Sequence, residues 1–253
     1  MYLVGDKSKR SKGAHELYHP EDWLPSRCMA EVDKIDLKWE KKRRIETFEA
    51  VCSHIKPVFH KFFYENFKNP GQLFERRLAY TTSVAVSSMV SYILGIGDRH
   101  IQNILIDLNT AEVIHIDFGI AFEMGKILPH PELVPFRLTR DICAPMGVCG
   151  VNGVFRKTCE KTMEILRKND KTLTTILEVL LYDPMYAWTT SSNKAKMRQL
   201  DVEDDENSSE DTNETERDSM ACRALLKIQS KLKGQVDDSS GYSSVEGQVE
   251  SLI

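Results

Sequence analysis

Apolar residues between 39 and 67 recur at helical spacing, with Ile45, Phe48, Val51, Cys52 and Ile55 three or four positions apart. Pro57 interrupts that run, because proline removes a backbone donor and its ring clashes with the preceding turn. Residues 78–94 predict a second, more buried helix, and no charge occurs from Leu78 to Gly97. A stretch of that length approaches a bilayer's thickness. It carries Thr81, Thr82, Ser83, Ser87, Ser88, Ser91 and Tyr92, a hydroxyl density that suits a buried helix in a folded domain better than lipid. The period then changes. Ile104, Leu105 and Ile106 form a short apolar run, residues 107–111 are turn-like, and residues 113–116 are rich in β-branched residues, which together predict a hairpin. Helical patterns return at 154–166, 173–182 and 221–232, the last closing at Gly234. A Ser/Gly/Asp-rich turn and the segment 245–253 follow. The pattern predicts an α+β fold, mainly helical, with one small antiparallel hairpin.

Composition changes the picture at one place. The chain has 253 residues, 41% hydrophobic and 28% charged, with a net charge of -4, near a globular average. No strongly basic balance points to a dedicated nucleic-acid surface. Residues 201–218 hold ten acids against the single base Arg217, so the rest of the chain is net basic. With almost nothing apolar to bury, that stretch predicts a disordered linker. Ser208 and Ser209 lie among its acids as candidate phosphorylation sites, although a solvating spacer is the better reading. The predicted organisation is a globular region 1–200 with a mobile first dozen residues, a linker 201–218 and a C-terminal segment 219–253. Six cysteines, at 28, 52, 143, 149, 159 and 222, include no C-x-x-C pair, which predicts reduced thiols rather than a zinc site or disulfide framework. Lys41, Lys42, Arg43 and Arg44 form a basic cluster that reads as a solvated helix face or as a targeting signal.

The chemistry lies in residues 95–119, GIGDRHIQNILIDLNTAEVIHIDFG. Antiparallel pairing brings the start of one strand beside the end of the other. Asn103 precedes the first strand and Asp117 follows the second, so the hairpin puts an amide oxygen and a carboxylate at the same end. Hard oxygen donors suit a Mg²⁺ ion that keeps waters and binds substrate phosphates. Asp98, in the loop entering the hairpin, could accept or orient the proton of an attacking hydroxyl. Together these are the parts of a phosphoryl-transfer site. Arg99 and His100 offer further polar groups beside the transferring phosphoryl, while a histidine here could instead serve only to hold the loop.

The order D-R-H-x-x-N followed by D-F-G resembles the phosphatidylinositol 3-kinase-related protein kinases. Gly95 to Asn103 is similar to their catalytic loop, and residues 115–139, ending in Pro135-Phe136-Arg137-Leu138-Thr139, to their activation loop. The resemblance implies the C-terminal lobe of a catalytic domain, with Asp98 and His100 catalytic, Asn103 and Asp117 binding Mg²⁺ and ATP, and Leu105 and Ile116 lining the adenine pocket. Residues 74–80, 121–129, 150–156 and 180–188 extend the likeness toward the branch that responds to DNA double-strand breaks. That branch implies nuclear serine/threonine kinases acting on protein sites with glutamine after the target hydroxyl, assembled as homodimers and engaged by a break-sensing complex, with no direct membrane contact.

Two substitutions depart from the family pattern: Phe118 stands where leucine is expected, and Ala144-Pro145 where an acidic-glycine pair is expected. No glycine-rich loop or phosphate-binding lysine precedes the catalytic loop. Val245-Glu246-Gly247-Gln248-Val249 resembles the opening of the family's FATC segment without its aromatic-rich ending. The chain is therefore expected to be a fragment: a lower lobe that transfers no phosphate by itself and exposes an apolar upper face. Two alternatives remain at this stage. A non-catalytic fragment would only bind partners. A lipid kinase of the same fold would need several bases in its activation loop, and between 120 and 134 there is one, Lys126, against Glu123 and Glu132.

Overall fold

The computed structural model describes residues 12–34, 41–128, 131–181, 214–236 and 241–253. The chain divides into two compact units, Met1–Phe74 with Thr139–Gly147, and Glu75–Leu138 with Val148–Ile253. The C-terminal segment 219–253 belongs to the same unit as residues 95–119.

The first unit contains α1 (Ala14–Tyr18), α2 (Pro25–Val32), α3 (Lys41–Ser53), α4 (His60–Asn66) and, from the later segment, α6 (Arg140–Cys143). The interruption predicted at Pro57 separates α3 from α4. Of the apolar positions predicted to form the α3 face only Val51 is buried, whereas Ile45 and Phe48 are exposed. Phe62, Phe63 and Phe67 make the core, Phe62 standing edge-on to Phe63 with ring centroids 5.3 Å apart. Pro145 is fully buried in a 3₁₀ turn over Ala144–Met146, where its fixed φ suits the turn's start, so the departure at 144–145 is accommodated by local geometry.

Asp141 holds this unit together. Its Oδ1 accepts the backbone N–H groups of Val58 (2.7 Å) and Phe59 (3.0 Å), and its Oδ2 lies 3.3 Å from Nε2 of His15. The hydrogen bond to Asp141 raises the His15 pKa, against a smaller lowering by burial. Burial works to raise the Asp141 carboxyl, but His15 and the two backbone donors outweigh it and the net shift is downward. The raised histidine gives stability that is complete below 6.5 and lost as pH rises through its folded value. The lowered carboxyl gives stability present above 3.8 and lost as pH falls through its folded value. Both are therefore in force between those limits. His15→Gln should accelerate hydrogen exchange at the Val58 and Phe59 amides, relative to wild type, most strongly near pH 5.5, and the ratio should shrink toward one in alkali. A pH-independent ratio would contradict this.

Helix α5 (Pro70–Leu94), the longest among the described residues, begins in the first unit and runs from Glu75 onward in the second. It starts well before the predicted Leu78 because Asn69 Oδ1 accepts the N–H groups of Gly71 (2.9 Å) and Gln72 (3.2 Å), and Pro70 takes the first helical position. Its buried hydroxyls bond back to the helix, Thr81 to the carbonyl of Arg77 (2.8 Å) and Ser88 to that of Val84 (2.7 Å), which is how hydroxyls tolerate a core. Among the described residues no helix is long and apolar enough to cross a membrane. The hairpin pairs β1 (Ile104–Ile106) with β2 (Val113–His115) in the register Ile104 with His115, Leu105 with Ile114 and Ile106 with Val113. Asp107 builds the turn, its Oδ1 accepting the N–H groups of Asn109 (2.7 Å) and Thr110 (2.8 Å).

Behind the hairpin stand α7 (Val154–Lys168), which buries Phe155, Cys159 and Met163, and α8 (Asp170–Leu181). Next come α9 (Glu214–Leu232) and α10 (Val245–Leu252). Residues 214–218, predicted as linker, are the beginning of α9. Residues 201–213, with Ser208 and Ser209, lie outside the described residues, as do most of the first dozen. Gln248 of α10 is fully buried: its Nε2 donates to the hydroxyl of Tyr92 (3.2 Å) and the carbonyl of Lys231 (2.9 Å), and its Oε1 accepts from Arg167 (2.6 Å). The six cysteines are free, and burial pushes the Cys159 thiol up to about 12.

Candidate active site

The register fixes the site. Ile104 faces His115, so the residues just outside the ladder, Asn103 and Ile116, also meet: the Ile116 N–H donates to the Asn103 carbonyl at 3.0 Å. Asp117 follows immediately. Asn103 and Asp117 therefore occupy the same end of the hairpin, as the sequence pattern predicts. Asp98 joins them, because Nδ2 of Asn103, a buried residue, donates to the Asp98 carbonyl (2.9 Å) and lies 3.5 Å from its Oδ2. The amide's nitrogen end is thus committed to the loop, which leaves its oxygen end as the donor suited to a cation. Asp117 accepts the Gly119 N–H on Oδ1 (3.0 Å). An amide oxygen and a carboxylate are hard donors, and the set fits Mg²⁺.

His100 is half-exposed. Its Nδ1 accepts the Gln102 N–H (3.1 Å), so a neutral ring carries its proton on Nε2, which lies 3.9 Å from Asp98 Oδ2. The histidine both braces its own loop and faces the aspartate. Arg99, expected beside the transferring phosphoryl, instead turns inward and is 6% exposed. It donates from Nε to the carbonyl of Gly97 (2.8 Å), from Nη1 to that of Ile116 (2.8 Å) and from Nη2 to that of Asp117. One guanidinium thus joins the catalytic loop to the start of the activation segment. The ring of Phe118 lies 5.7 Å from that guanidinium, so phenylalanine in place of leucine is accommodated with a cation–π contact.

The outer face of the hairpin is apolar. Leu105 and Ile116 are exposed, and so is Ile114, opposite Leu105. Sequence reasoning missed Ile114, although strand alternation places it with Ile116. It also missed the strain. Asp98 and Asp117 have φ of 55° and 57°, and Phe122 and Glu123 have φ of 56° and 63°. Non-glycine residues in this region cost of order 1–3 kcal/mol and cluster where function over-determines the backbone.

Glu123 was legible in the sequence only as an acid in the loop. Its carboxylate receives Lys231 (2.8 Å) and Lys227 (2.6 Å) from α9, and Lys126 (2.9 Å). Burial works to raise its pKa, but the three ammonium groups overcome this and hold it far below the usual carboxylate value. The activation segment is thereby tied to the C-terminal helices.

The chain matches the family described as phosphatidylinositol 3- and 4-kinase over residues 6–190. It is 53% identical over 241 residues to the serine/threonine-protein kinase ATM of Drosophila melanogaster, covering 95% of this chain and 8% of that protein. It is 44% identical to the serine/threonine-protein kinase tel1 of Schizosaccharomyces pombe, covering 95% of this chain and 9% of that one. Among solved structures, the FAT and kinase domain of CtTel1 superposes with a TM-score of 0.77 at 39% identity, covering 94% of this chain and 15% of the other. The chain spans less than a tenth of the length of these curated relatives. Its extent of match, together with the hairpin that gathers Asp98, Asn103 and Asp117, makes the chain a member of the phosphatidylinositol 3- and 4-kinase family.

Proposed function

We propose that this chain is the lower lobe of an ATM-like serine/threonine protein kinase. The observation that carries the reading is the convergence of Asp98, Asn103 and Asp117 at one end of a two-stranded hairpin. Asp98 orients the substrate hydroxyl and receives its proton, with the Nε2 face of His100 near the oxygen where charge changes. Asn103 and Asp117 hold Mg²⁺, which supplies charge neutralisation to the ATP phosphates. Leu105, Ile114 and Ile116 offer an apolar floor to the adenine. Positioning and electrostatics carry such a reaction, so groups that cover the phosphates set its rate.

The relatives' names support protein over lipid as substrate, and so does the loop's chemistry. The base Lys126 is engaged by Glu123 at 2.9 Å, which weakens it as a partner for an inositol phosphate. Nuclear location, glutamine-directed substrates, a break-sensing partner and action in DNA repair come from the family likeness. A homodimer is supported by a complete CtTel1 dimer with C2 symmetry among the similar structures. The test is transfer of labelled phosphate from Mg²⁺–ATP to a Ser-Gln peptide by the longer protein that contains this sequence, beside the 253-residue chain alone. Phosphorylation by the first and not the second is expected. Transfer to phosphatidylinositol in preference to peptide would overturn the reading.

A further inference from the structure

The loop carrying Asp98 has a second anchor besides Arg99. Both carboxylate oxygens of Glu132 lie 2.9 Å from the backbone nitrogen of Asp98, so its N–H is shared between them. Glu132 is itself fixed, its own N–H donating to the Gly125 carbonyl at 3.0 Å. The space around the carboxylate is made by glycines. A Cβ on Gly97 would lie 2.5 Å from Glu132 Oε2, and one on Gly125 would come closer still. The peptide so gripped is the one that leads into a left-handed residue, Asp98 at φ 55°. Nothing intrinsic to an aspartate holds that conformation, so its surroundings must.

We propose that Glu132 is a positioning residue: its carboxylate fixes the 97–98 peptide and thereby sets where the Asp98 side chain points. The inference rests on the phosphotransfer role given to Asp98 above. Beside Arg99, which holds the Gly97 carbonyl, and the Gly97 N–H bond to the Ile120 carbonyl, Glu132 links the order of the activation segment to the geometry of the catalytic loop. An activation segment that shifts by an ångström releases the peptide, and displacements of that size cost up to about a hundredfold in rate.

The experiment uses the longer protein carrying Glu132→Ala, Glu132→Asp or Glu132→Gln. Glu132→Ala should lower kcat about 30-fold while leaving the KM for ATP within about twofold, because the acceptor is lost and the metal ligands are not touched. Glu132→Asp, one methylene short, should fall nearly as far. Glu132→Gln keeps an oxygen acceptor and should stay within about threefold of wild type. Hydrogen exchange at the Asp98 amide should rise at least about tenfold in Glu132→Ala and little in Glu132→Gln. If Glu132→Ala does not fold, the Asp and Gln variants carry the same contrast. A kcat within twofold of wild type in Glu132→Ala, an unchanged Asp98 amide, or a Gln variant as impaired as the Ala variant would overturn the proposal. Activity that survives Asp98→Asn would instead refute the phosphotransfer reading, and the exchange measurement would still report on the clamp.

Discussion

Asp117→Ala and Asp117→Asn, made in the longer protein, should each reduce peptide phosphorylation about a thousandfold or more. The two variants fail for the same reason and differ in everything else. Asp117 has two tasks: Oδ1 accepts the Gly119 N–H at 3.0 Å, and the carboxylate supplies negative charge at the end of the hairpin opposite Asn103. Asparagine retains the acceptor and tolerates a φ of 57°, so it preserves the turn and loses only the charge. Alanine loses both and is strained there. Equal loss of activity with an intact fold in the asparagine variant assigns the effect to the charge that holds the cation. Near-normal turnover in Asp117→Asn would remove this residue from the metal site. A loss confined to alanine would assign it to the turn.

Arg99→Met should open the site structurally. The guanidinium is buried and satisfies three backbone carbonyls, those of Gly97, Ile116 and Asp117. Burial lowers its pKa, opposed by the charges of Asp98, Asp117 and Glu132, but an arginine keeps its proton. Each carbonyl left unpaired out of water costs about 1–3 kcal/mol, so the expected loss of local stability is about 4 kcal/mol. That corresponds to roughly a thousandfold faster hydrogen exchange for protected amides in residues 95–119, Ile116 among them. Arg99→Lys should recover only part of this, because a single ammonium cannot reach three divergent acceptors as a planar fork does. Local exchange is the appropriate measurement, since a chain of two compact units need not unfold in one step. Exchange within threefold of wild type would show that the three carbonyls find other partners.

How much of this was legible in the sequence depends on the range of the interaction. Asn103 and Asp117 could be placed together because a hairpin is local: its register follows from two short apolar runs and a turn built by Asp107. The α+β class and the helices at 154–168 and 170–181 follow likewise from periodicity, whereas the start of α5 at Pro70 was missed, its signal being the Asn69-Pro70 pair and not a hydrophobic repeat. Arg99 was misread because a charged residue beside a catalytic aspartate reads as part of the chemistry. Only the fold reveals three carbonyls converging on it. Glu132 carries no pattern, and Glu123 only its i,i+3 pair with Lys126, since their other partners lie 34 and 104 positions away along the chain. Ile45 and Phe48 mark the limit of periodicity, a helical repeat that predicts the helix and leaves both side chains exposed.

The ion cluster at Glu123 has a consequence for synthesis. Its partner Lys227 is made 104 residues later, and Gln248, which joins Tyr92 to the backbone of Lys231, later still. At about 5–20 residues per second, Glu123 has Lys126 beside it at once but waits roughly 5–20 s on the ribosome before the two α9 ammonium groups exist. During that interval the backbone at residues 122–123 can already bond to the carbonyls of Leu94 and Gly95, while a carboxylate destined for partial burial lacks two of its three compensating cations. The ion cluster of this unit is therefore encoded early and completed late. A nascent chain halted between residues 126 and 227 would hold the Glu123 carboxylate with Lys126 and neither of the α9 lysines.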